Sequence, residues 1–77
     1  MTYFNYHAKA KNLLKNGHCI AVTIFKEYHH IRPALVMYFE NSKPIPIREY
    51  MWSDYLPLIK EQQLTISNPD NINLNQL

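Results

Sequence analysis

CIAVTIFKEYHHIRPALVMYFENSKPIPIREY, residues 19–50, holds three runs of alternating side chains separated by two turns. In the first run Ile20, Val22 and Ile24 alternate with Ala21, Thr23 and Phe25, and the β-branched content favours a strand. In the second, Leu35, Met37 and Phe39 share one face while Ala34, Val36 and Tyr38 share the other. Both faces are apolar, as expected of a central strand. Pro33 fits only at its start, where a missing amide breaks no ladder bond. In the third run Ile45 and Ile47 share a face, and Pro44 and Pro46 stand two residues apart. Both missing amides then lie on the same side, so the strand can pair on the other side only and is an edge. Tyr28–Ile31 and Asn41–Lys43 make the turns. The order is that of an antiparallel meander.

Upstream, Thr2–Asn16 reads as a helix. Thr2 is a credible N-cap, and Tyr3, Tyr6, Ala10, Leu13 and Leu14 recur at three- and four-residue steps. Gly17 stands where a left-handed C′ residue ends a helix, with Lys15 in the last turn. Downstream, Ser53 or Asp54 can cap a short helix of roughly Tyr55–Gln62, with Pro57 confined to its first turn. Leu56, Leu58 and Ile59 would be its buried positions. After it, LTIS and INLN flank Asn68-Pro69-Asp70-Asn71, a type I turn sequence. This end forms either a C-terminal hairpin or, from about residue 68 onward, a frayed tail. The expectation is one α+β domain: an N-terminal helix packed on a three-stranded antiparallel meander, then a short second helix. Its leading core residues are Ile20, Val22, Ile24, Leu35, Met37, Phe39, Ile45 and Ile47.

The composition excludes several functions. At 77 residues the chain has room for one core, and at 47% apolar and 18% charged it is not a disordered chain. Gly17 is the only glycine, so no glycine-rich phosphate loop exists. Cys19 is the only cysteine, which rules out an internal disulfide and fits a small buried hydrophobe. His18 and Cys19 are adjacent and point to opposite faces of a strand, while His29 and His30 sit at the far end of that strand. No metal or cofactor site is expected from them. Glu49, Asp54, Glu27 and Glu40 form no pair around a pocket, so no enzyme is expected either. The N-terminus lacks the apolar region of a signal peptide and no run is long enough to cross a bilayer. Together with one reduced cysteine, this implies a cytoplasmic protein that uses no membrane.

Two binding surfaces remain. The meander offers more apolar and aromatic positions than one short helix can cover. Tyr38, Arg48, Tyr50, Trp52 and Tyr55 have the composition of interface anchors. They suggest a non-catalytic protein-binding module, a regulator or inhibitor that masks a protein partner, or a homodimer. The other surface is the first helix. His7, Lys11 and Lys15 are four apart and form one ridge beside Lys9, and residues 1–18 contain no acid. Such a face can contact phosphates, which makes nucleic-acid binding the alternative. Residues 51–77 carry Lys60 against Asp54, Glu61 and Asp70, so the two ends of the chain differ in sign.

Overall fold

The computed structural model describes residues 3–73, and side chains from residue 6 onward. The meander is present: β1 (Cys19–Phe25) pairs antiparallel with β2 (Ala34–Phe39), and β2 pairs antiparallel with β3 (Ile45–Arg48). Leu35 lies opposite Ile24 on one side and Ile47 on the other, which fixes the apolar row on one face. β3 is an edge strand, as its proline pair requires. Its outer side is closed further, because the Tyr6 hydroxyl donates to the Pro46 carbonyl at 2.9 Å.

α1 (Tyr3–Lys15) ends as the glycine predicts. The amide of His18 reaches Leu13 and that of Gly17 reaches Leu14, with Gly17 at φ 78°, a Schellman closure. The Thr2 cap and the Tyr3 side chain lie outside what the structure describes. α2 (Trp52–Glu61) begins earlier than expected, directly after a 3-10 turn at Glu49–Met51. No side chain caps it, and Pro57 sits at its sixth position rather than in its first turn. What starts the helix is burial: Trp52, Tyr55 and Ile59 are its buried residues, spaced three and four apart.

α2 carries the chain from β3 across to the far edge of the sheet. There β4 (Ile66–Ser67) adds parallel to β1, giving the order β3-β2-β1-β4. The expected C-terminal hairpin is therefore corrected: the LTIS segment pairs with β1. The frayed tail is corrected too, as far as residue 73. Asn71 closes a turn onto Asn68, whose side chain bonds both the amide and carbonyl of Ile72 at 2.9 Å. Asp70 accepts the Lys26 amide at 2.8 Å, and Ile72 packs against the core. Residues 74–77, the rest of the second hairpin strand, lie outside the described residues.

One core joins Ala10 and Leu14 of α1 and Trp52, Tyr55 and Ile59 of α2 to the row Val22, Ile24, Leu35, Met37, Phe39 and Ile47. Ile20 is a correction. A bulge sets Cys19 opposite Phe39 but Ala21 opposite Tyr38, so Ile20 is an extra residue without a partner. It turns outward, 56% exposed, and Cys19 takes the core position instead. Ile45 is only half-buried, at the rim of the same core.

Candidate protein-binding face

Both helices lie on the face built by Val22, Ile24, Leu35, Met37 and Ile47. Among the described residues no helix crosses the opposite face, which carries Thr23, Phe25, Ala34, Val36, Tyr38, Pro46 and Arg48 by alternation and register. Ala34 and Val36 at its centre are fully buried although neither belongs to the core beneath the helices. The β1–β2 connection folds back toward this face. Tyr28 and Ile31 exchange two backbone hydrogen bonds of 2.9 Å around His29 and His30, which have φ 49° and 71°. Positive φ at both central residues is what a tight type I′ hairpin turn demands, and histidine tolerates it better than most residues. Tyr28 stacks on Phe25, with centroids 5.9 Å apart and planes 20° apart, and meets the edge of His29 at 4.3 Å. Burial raises the Tyr38 pKa, and the nearby Tyr28 phenol raises it further. The connection thus sets Tyr28 against Phe25, on the face that also carries Tyr38. Cis-Pro33 and an exposed Glu27–Arg32 ion pair of 3.0 Å complete the connection.

This geometry divides the five expected interface residues. Tyr38 is half-buried on the helix-free face, and Arg48 stands exposed at the end of β3 on the same face. Tyr50, in the 3-10 turn, is 64% exposed. Trp52 and Tyr55 are corrections: at 1% and 0% exposure they are core residues and present no surface. The Trp52 indole donates to the Ile47 carbonyl at 2.9 Å, which anchors α2 beneath β3. Their spacing with Ile59 is the signal of a buried stripe, beside which Ser53 and Asp54 resemble caps. The contact of Tyr28 with Phe25 is not legible in sequence, because the turn that folds Tyr28 back has no Asn-Gly signature.

The cationic ridge of α1 is also corrected. His7 is buried and shares a 2.7 Å hydrogen bond with the Tyr55 hydroxyl. Burial lowers its pKa, Lys11 lowers it further, and Asp54 opposes both. Lys11 forms a 3.2 Å ion pair with Asp54 and lies over the Tyr55 ring at 5.7 Å. The carbonyl of Lys15 accepts from the Gln62 side chain at 3.1 Å. His7 and Lys11 are thus part of the seam between the two helices. Lys9, and the Lys15 side chain, remain exposed.

Cys19 is buried, and burial pushes its thiol pKa up, which leaves little thiolate for chemistry. Among the described residues no three His, Cys, Asp or Glu side chains converge on a metal position, and no helix is long and apolar enough to cross a membrane. No family model, curated protein or solved structure matches the chain.

Proposed function

We propose that this chain is a non-catalytic protein-binding module that docks a protein partner on the helix-free face of its sheet and acts by masking it. The observation that supports this reading is the segregation of the helices: both cover one face, while Phe25, Tyr28 and Tyr38 line the other, bordered by Arg48. Rings held partly exposed supply contact area at small entropic cost, the chemistry of interface anchors. A second copy of the chain is one form of partner, giving a homodimer.

Sedimentation velocity of the wild type against a Tyr38→Asp, Arg48→Glu variant, with affinity capture from a nuclease-treated lysate, tests the reading. The wild type is expected to dimerise or to retain a protein that the variant does not, with equal circular dichroism for both. A strictly monomeric wild type whose captured proteins are the same as the variant's overturns it. Nucleic-acid binding through α1 has less support. With His7 and Lys11 engaged in the helix seam, Lys9 and Lys15 alone would give a salt slope of only about −1.8 on duplex DNA.

A further inference from the structure

A groove of about 290 Å³ runs between α1 and the start of β3, on the helix-bearing side of the molecule. Its walls are mainly apolar, Tyr6 and Leu13 from α1 with Pro44 and Ile45 at the start of β3, and Ser42 adds one hydroxyl. Its rims are cationic, with Lys9 on the helix and Lys43 on the β2–β3 turn. Both lysines are exposed, and neither is within ion-pair distance of a carboxylate among the described residues. No described residue lining the groove is acidic. The first acid along the same side is Glu40, in the adjoining hollow that ends at His18.

We propose that this groove binds a short acidic segment of a protein partner, one apolar side chain entering between Tyr6, Leu13 and Ile45 while flanking carboxylates meet Lys9 and Lys43. Three features decide the occupant. The volume falls at the lower limit for sites that enclose a whole small molecule, so it suits a side chain better than a cofactor. Apolar walls between the lysines suit a side chain more than a continuous phosphate backbone, and two ammonium groups without an ion-pair partner among the described residues complement carboxylates. The neighbouring strand edge cannot accept the segment as an added strand, because Pro44 and Pro46 lack amides and Tyr6 occupies the Pro46 carbonyl. Recognition must therefore run through side chains. The groove shares no residue with the helix-free face, so either surface can fail without the other.

The test uses fluorescence anisotropy of the full chain with three labelled peptides: a central leucine flanked by aspartates, by asparagines or by lysines. The aspartate peptide is expected to bind, and the asparagine one about tenfold more weakly, from the loss of two exposed charge pairs. Added salt should narrow that gap. A Lys9→Glu, Lys43→Glu variant, altered only at exposed positions, should lose the aspartate peptide and gain the lysine one. Tyr38→Asp should change nothing here, which separates this site from the helix-free face. Equal binding of the aspartate and asparagine peptides, or no effect of the double reversal, overturns the proposal. So does displacement of the peptide by single-stranded DNA at equal concentration, which would mark the groove as a phosphate site.

Discussion

The two faces of the sheet are built by opposite means. One is covered by helices brought from both sides of the meander in sequence, with Trp52, Tyr55 and Leu14 filling the space. The other is covered from within the meander, by a connection of eight residues that folds Tyr28 back on Phe25. Long-range cover buries side chains completely. Local cover leaves rings half-exposed, and it depends on a turn whose two central residues hold positive φ. The difference teaches that a small protein can shelter a surplus apolar face without a second layer while keeping that face available.

The contrast breaks most severely at Trp52. Trp52→Ala removes a fully buried indole and its hydrogen bond to Ile47, at an expected cost of about 3–5 kcal/mol, and urea titration measures it. A chain this small should then be largely unfolded. The helix seam comes next. His7→Leu removes the 2.7 Å hydrogen bond to the buried Tyr55 hydroxyl, for about 1–3 kcal/mol. The same residue sets a pH dependence. Its folded pKa is lowered below the ordinary value of 6.5, so its contribution is complete above that value. Below pH 6.5 the unfolded chain takes up a proton that the folded chain resists, and stability falls until the lowered folded value is passed. Thermal melts between pH 8 and pH 4 should show this fall, and His7→Leu should flatten it.

On the helix-free face the effects are smaller and one has the opposite sign. Replacing His29-His30 by Asn-Gly relieves two left-handed residues and should stabilise the fold by about 1 kcal/mol. A loss of stability on that change would mean that the His29 contact with Tyr28, not the turn itself, holds the connection in place. Tyr38→Ser should cost under about 1 kcal/mol, since the ring is partly solvated, yet abolish partner binding. Equal destabilisation by Trp52→Ala and Tyr38→Ser would erase the distinction between the faces.

How much of this was legible depends on the range of the cause. The three meander strands, the Gly17 stop and the β3 edge follow from chemistry contained in a few neighbouring residues, and all appear in the fold. The bulge at Ile20 was hidden because Ile20 and Ala21 are both compatible with a regular strand, and only pairing to Phe39 and Tyr38 distinguishes them. The start of α2 was hidden because Ser53 and Asp54 resemble caps, whereas Asp54 is spent on Lys11, 43 residues away. That same distance concealed the true role of the His7–Lys11 ridge. The end of α2 shows the limit of local rules. Gln63 adopts φ 58° with the closure seen at Gly17, its amide bonded to Lys60 and that of Leu64 to Ile59, yet no glycine announces it. For the binding face, Tyr38 and Arg48 were readable from alternation alone, while the folded-back tip that completes it was not.

The sealed flank of β3 has a consequence for how this molecule can fail. Fibres grow when strands stack edge to edge, each addition templating the next. Two absent amides and a carbonyl already held by Tyr6 leave no template on that flank. Among the described residues the other sheet edge is β4, where two residues of strand offer a short foothold.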